Sequence, residues 1–161
     1  MLKAERGPFV YLCPRGIGAA AWTGDERKQT QIRRRFMLLG QTLDGMRVWD
    51  VRRAIQALGQ IDEVRGMTPA VLARGDMAGV ALYTSLFDPQ VARLHLMDPP
   101  ATHRDGPIFL NVLRFLDMPQ AVALAAERTN LILGGQNKTP WQFATSLGGI
   151  LGWDRQRLRT E

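Results

Sequence analysis

Apolar residues along this chain form two patterns: short unbroken runs and longer stretches with helical spacing. The short runs, each followed within two positions by glycine or proline, predict four buried β-strands at residues 9–13, 69–73, 91–97 and 130–133. The longer stretches carry apolar residues every three or four positions and predict helices at residues 42–58, 78–87, 107–116, 118–127 and 141–151. Two polar segments predict exposed chain, a loop with one helical turn at residues 22–31 and a charged tail at residues 154–161.

The order of these elements predicts the fold class. Strands alternate with helices, which favours βαβ units on a mainly parallel sheet. The length of 161 residues fits one domain, and a hydrophobic content of 45% argues against disorder. We therefore expect a single α/β domain over residues 1–161, with a sheet of about four strands and helices on both faces. So small a sheet leaves an edge to be covered by a second copy or by another polypeptide.

The junction of the second predicted strand with the following helix has the layout of a catalytic turn. An apolar run at residues 69–73 meets the sequence Gly75, Asp76, Met77, Ala78 and Gly79, and a helical pattern follows at once. Strand, glycine-flanked turn and helix are the arrangement of a nucleophile elbow, which presents a serine as G-x-S-x-G. The central position of this frame is Met77, whose thioether cannot be deprotonated to attack a carbonyl carbon.

Two further stretches resemble a known family. Residues 38–55, LLGQTLDGMRVWDVRRAI, are similar to the stretch before the elbow in α/β-hydrolases of the acetyl xylan esterase type. The turn that contains Arg15 and Gly16 is similar to an arginine-glycine turn of that family. The resemblance covers roughly residues 9–140. It implies the C-terminal half of an α/β-hydrolase fold, entered at about its fourth strand, without the loop that donates part of the oxyanion hole.

The same resemblance allows each catalytic position to be checked. The nucleophile position is Met77, and the acid position is Asn137, which can hydrogen-bond an imidazole but supplies no charge. A histidine base is expected after a final strand, yet no histidine follows His103. The resemblance therefore implies an esterase-like fold with a degenerate catalytic triad, which acts as a structural or binding module. Under it, Gly75, Asp76, Ala78, Gly79, Arg15 and Gly16 are the elbow or ligand-proximal residues.

Other residues leave two alternatives open. His103 lies in a loop after a strand, near Asp98 and Asp105, and could act as a general base in an active ester hydrolase, alone or with residues from a missing part or partner. The other interpretation is a structural histidine held by local hydrogen bonds. His95 is expected to be packed inside a strand, and Cys13 to be a core residue.

Charge supports a third hypothesis, a basic surface module. The formal charge is +6, and basic residues are dense at Arg33, Arg34 and Arg35 and within residues 155–159. These could bind an acidic polymer, but aromatic residues are not interleaved with them, so we do not expect nucleic acid as the partner. A small molecule or a carbohydrate ester remains a candidate ligand.

The sequence predicts neither a metal site nor a cofactor. Cys13 is the only cysteine, and the two histidines are placed too differently to form a metal site. The first residues lack the apolar core of a signal peptide, and no apolar run is long enough to span a bilayer. We therefore expect a soluble chain, whose compartment the sequence does not specify.

Overall fold

A computed structural model of the chain describes residues 7–161 and contains one parallel β-sheet. Its strands are β1 (Ala70–Arg74), β2 (Arg93–Met97), β3 (Asn130–Gly134) and β4 (Leu158–Thr160), which lie side by side in chain order. All three pairings are parallel. The prediction of an α/β fold with a mainly parallel sheet of about four strands is confirmed.

Five α-helices accompany the sheet: α1 (Glu26–Leu38), α2 (Leu43–Leu58), α3 (Asp76–Phe87), α4 (Met118–Ala126) and α5 (Gln142–Ile150). Short 3-10 turns occupy Gly18–Ala20, Asp62–Val64, Val112–Arg114 and Thr139–Trp141. The side chain of Thr42 accepts a hydrogen bond from the Gly45 amide and so caps α2, which ends at Gly59 as predicted. None of the helices in the described range is long and apolar enough to cross a membrane.

The hydrophobic core lies on one side of the sheet. α3 packs on β1 and β2 and lies between α2 and α4, while α5 packs on α4. Leu94, Leu96, Leu131 and Leu133 face these helices and are fully buried. The alternate strand positions, among them Leu72, stay exposed or half-buried, except Gly134 at the end of β3. Helices were predicted on both faces, but within residues 7–161 they cover only this one.

Residues 9–13 do not form the predicted first strand. The segment has no regular secondary structure, and Phe9, Val10, Tyr11 and Leu12 are exposed. An apolar run becomes a strand only where a neighbouring strand accepts its backbone hydrogen bonds, and no strand of the described sheet pairs with this segment. Cys13, expected in the core, is also exposed.

The fourth strand comes instead from the charged tail. The amide of Glu161 donates to the Leu133 carbonyl oxygen at 2.8 Å, and the Leu131 amide donates to the Arg157 carbonyl oxygen at 2.9 Å. Leu158 supplies the single apolar contact with the core. A three-residue edge strand flanked by charges gives almost no hydrophobic pattern, so the sequence predicted only a tail.

Two other predicted segments differ from the structure. Residues 22–31, expected as a loop with one helical turn, contribute the first half of α1, whose N-terminus is capped by the Asp25 carboxylate. Residues 107–116, expected as a helix, contain only a 3-10 turn. The Ile108 amide donates to Asp44, and Asn111 has a left-handed φ of 61°, so a continuous helix cannot form there.

Candidate functional site

A single residue, Gly75, connects the end of β1 to the start of α3. Its backbone has φ 58° and ψ −133°, a conformation that residues with side chains rarely adopt. Its amide donates to the Met97 carbonyl oxygen at 2.9 Å, and its carbonyl oxygen accepts from the Ala78 amide. The tip of the strand-to-helix turn is therefore Gly75, held on both sides by hydrogen bonds.

This geometry corrects the predicted nucleophile position. Met77 lies inside the first turn of α3, where it packs against the core, and does not occupy the tip. The shift by two residues arises because β1 continues through Arg74 and α3 begins already at Asp76. The position that presents a nucleophile in an elbow carries no side chain at all here. Space for one exists, because a Cβ atom added to Gly75 would meet no heavy atom within 4 Å.

The other predicted elbow residues, Ala78, Gly79 and Asp76, lie within α3. Ala78 and Gly79 are buried in α3, and a Cβ atom on Gly79 would collide with the ring of Pro107. Gly79 thus lets α3 approach the loop at residues 106–109 closely. Asp76 is exposed at the first helical position.

An ion pair spans the carboxyl edge of the sheet beside the tip. Arg74, at the end of β1, holds the Asp98 carboxylate through Nη2 at 3.0 Å and Nε at 3.1 Å. Asp98 directly follows β2 and has a positive φ of 46°, and its amide donates to the Gly134 carbonyl oxygen at 2.8 Å. The carboxylate that could have oriented His103 is therefore bound to an arginine.

His103 is buried, and both of its ring nitrogens have partners. Nδ1 lies 2.7 Å from the Pro107 carbonyl oxygen, and Nε2 lies 2.7 Å from the Tyr83 hydroxyl oxygen. A carbonyl oxygen only accepts, so Nδ1 carries the proton and Nε2 accepts from the tyrosine hydroxyl. Burial, together with the negative charge of Asp117, raises the pKa of Tyr83, which keeps this hydroxyl protonated.

Asp117 fixes the loop that carries His103. Its carboxylate accepts hydrogen bonds from the Thr102 hydroxyl and the His103 amide, each at 2.7 Å, and from the Met118 amide at 2.8 Å. Burial opposes ionisation of Asp117, but these hydrogen bonds outweigh it and lower its pKa. Asp105, the other predicted orienting carboxylate, is exposed. The arrangement is that of a structural histidine and gives no support to His103 as a general base.

The predicted arginine-glycine turn is tied to α2. The Arg15 guanidinium binds both carboxylate oxygens of Asp50, through Nη2 at 2.5 Å and Nε at 2.7 Å. This hydrogen bonding raises the pKa of Arg15 and lowers that of Asp50. Arg47 donates to the Arg15 carbonyl oxygen at 3.1 Å. Gly16, with φ 74°, follows in the turn.

A small polar cavity of about 170 Å³ lies between this turn and the elbow. Gly16, Arg33, Arg47, Asp76 and Asp105 are among its lining residues. The structure thus places the arginine-glycine turn and the start of α3 around one cavity. The cavity holds neither a hydroxyl or thiol nucleophile aligned with a base nor, within residues 7–161, three metal-ligating side chains placed around a common ion.

The predicted acid position lies on the same sheet edge but has a local role. Asn137 is in the loop after β3, and its Oδ1 accepts a hydrogen bond from the Thr139 amide at 3.1 Å. This bond starts the turn at Thr139–Trp141. Asn137 is exposed, and no histidine ring contacts it within the described chain.

Comparison with known proteins shows a similarity of fold but does not assign the chain to a family. No protein-family model matches the sequence, and no curated protein is significantly similar to it. The structure is similar to that of a Bacteroides fragilis protein described as an acetyl xylan esterase, with a TM-score of 0.64 and 15% sequence identity. The match covers 91% of this chain and 44% of that protein, so this chain spans less than half its length. The chain therefore has an esterase-like α/β fold.

Proposed function

We propose that this chain is a degenerate esterase-like domain that lacks serine-hydrolase activity and acts as a structural or binding module. One observation carries the proposal: the tip of the strand-to-helix turn is Gly75, which has no side chain. Acyl transfer by an elbow needs a nucleophile there and a base within hydrogen-bond reach. The buried, fully hydrogen-bonded ring of His103 does not provide that base.

Hydrolysis of p-nitrophenyl acetate and labelling by a fluorophosphonate test the proposal directly. We expect the wild-type chain to show neither. Gly75→Ser would place a hydroxyl at the tip, where a Cβ atom has free space, whereas Met77→Ser places the same hydroxyl within the helix. Any gain in fluorophosphonate labelling should therefore occur in Gly75→Ser and not in the matched Met77→Ser control.

Turnover by the wild-type chain would contradict the proposal. If His103→Ala then abolished that turnover, the chain would be an active carboxylic-ester hydrolase that uses His103. If His103→Ala left it unchanged, catalytic groups elsewhere in this chain or supplied by a partner would have to be sought. If Gly75→Ser shows no gain in fluorophosphonate labelling, the activity of the wild-type chain alone decides the proposal.

The proposal also includes a partner for the sheet. β1 pairs only with β2 within the described residues, and Leu72 on the open face is 60% exposed. An edge strand and apolar face of this kind favour association. We propose that a second copy of this chain, or another polypeptide that supplies the missing half of the fold, covers them. Light scattering should give a mass above that of a monomer, and a heat-stable monomer would contradict this part.

A further inference from the structure

The outward side of α1 carries four cations. Arg27, Lys28, Arg34 and Arg35 are exposed, and the two pairs are seven residues apart in the sequence. Seven residues are close to two helical turns, so the pairs lie on the same side, separated by about 10 Å along the axis. The one acidic residue of α1, Glu26, is in its first turn. We name these four residues the basic stripe.

The opposite side of the helix is partly covered. Ile32, Phe36 and Met37 are half-buried there, and the Phe36 ring lies 6.0 Å from the Trp22 ring, centroid to centroid. The Asp25 carboxylate accepts a hydrogen bond from the Lys28 amide at the N-terminus. The four cations therefore project from a helix that is already ordered, which lowers the entropy cost of binding.

No carboxylate neutralises the basic stripe within residues 7–161. Arg15 and Arg47, by contrast, each bind an aspartate, Asp50 and Asp44 respectively. Four exposed cations without a counter-charge, in a chain of net charge +6, raise the local concentration of anions. The missing counter-charge is the first evidence for an anionic partner.

An open groove begins directly after the C-terminus of α1. It has a volume of about 540 Å³, starts at Gly40 and Gln41, and is lined further along by Met46 and Trp49. The Trp49 side chain is 48% exposed, and the Arg53 guanidinium lies 4.1 Å from its ring centroid. Arg15 also lines the groove, but its guanidinium is occupied by Asp50 and Met46. The groove thus combines an exposed indole ring with the side-chain amide of Gln41.

We propose that the basic stripe and this groove together bind an acidic polysaccharide. Carboxylates or sulfates on the sugar units would pair with the four cations, and the apolar C–H face of one ring would stack on Trp49. Sugar hydroxyls match the side-chain amide of Gln41. Single-stranded nucleic acid is less well matched, because its binding sites place several aromatic rings among the cations and the stripe has none. This binding is independent of the chemistry at Gly75.

Binding of polygalacturonate and heparin to the purified chain, measured by calorimetry, tests the proposal, with neutral dextran and a DNA duplex alongside. We expect both acidic polysaccharides to bind, dextran not to bind, and affinity to fall steeply between about 50 and 200 mM salt. The variant R34Q/R35Q should weaken binding about tenfold or more at low salt, because two of four charge contacts are lost. Trp49→Ala should weaken polygalacturonate binding without changing the salt dependence.

Two controls separate the site from net charge. R155Q/R159Q removes the same charge from the C-terminal basic segment and should change affinity less than twofold. Equal weakening by both double variants would overturn the proposal, because net charge alone would then account for binding. Failure of both polysaccharides to bind at low salt would also overturn it, as would DNA binding at least as tight as theirs. An unchanged affinity in Trp49→Ala would exclude the groove from the site.

Discussion

Replacing Tyr83 by phenylalanine removes one oxygen atom and tests the structural role assigned to His103. The hydroxyl lies 2.7 Å from Nε2, and Tyr83 and His103 are only 8% and 5% exposed. In the variant, Nε2 keeps its lone pair in a buried site without the tyrosine donor. A buried polar atom left without a partner costs about 1–3 kcal/mol, so Tyr83→Phe should lower the free energy of unfolding by that amount.

Urea titration and thermal melts would measure this loss. For a domain of this size, about 1–3 kcal/mol corresponds to a decrease in Tm of about 2–12 °C. Tyr11→Phe is a matched control, because the same oxygen is removed from a side chain that is 94% exposed, and the change should stay within about 0.5 kcal/mol. Equal, small effects in both variants would refute the inference that this hydrogen bond holds His103.

The remaining predictions concern a close helix contact and acid stability. Gly79→Ala should destabilise the chain by about 1–3 kcal/mol in urea titrations, because its Cβ atom would overlap Pro107. Gly149→Ala in α5, where a Cβ atom has open space, is the control and should be neutral or slightly stabilising. The reverse order of the two stabilities would contradict the close contact of α3 with Pro107. The folded-state pKa of Asp117 lies below its unfolded value, so its contribution to stability is present above about pH 4 and lost as the pH falls further. Asp117→Asn should therefore flatten the acid limb of a stability curve, and an unchanged limb would show that Asp117 does not contribute to it.

Local sequence signals were sufficient to predict the elements whose pattern and end signals lie in or next to the element itself. α2 was predicted from its apolar stripe and from Gly59 after its last turn, and the structure adds a cap by Thr42. β1 to β3 were predicted because buried strands of a parallel sheet are short apolar runs. In each case, the residues of the element carry a pattern that is visible in the sequence, although the strands also need each other as hydrogen-bond partners.

The errors concern segments whose structure depends on distant partners. Residues 9–13 have the apolar pattern of a strand, but no described strand lies beside them to complete their hydrogen bonds. β4 has almost no pattern and forms because β3 offers it a free edge. The sequence placed the tip of the strand-to-helix turn at Met77, whereas the structure places it at Gly75, because composition did not show that β1 continues through Arg74 and that α3 begins already at Asp76.

The groups that shape the elbow region are separate from those that would perform catalysis. The turn at Gly75 is held by backbone hydrogen bonds, the approach of α3 requires Gly79, and the neighbouring strand ends are joined by the pair of Arg74 and Asp98. None of these interactions involves a nucleophile or a base. The geometry of this turn therefore does not depend on catalytic groups. For this reason, similarity of fold to an esterase does not determine the activity of this chain, and the assays of the wild-type chain and of Gly75→Ser test that activity directly.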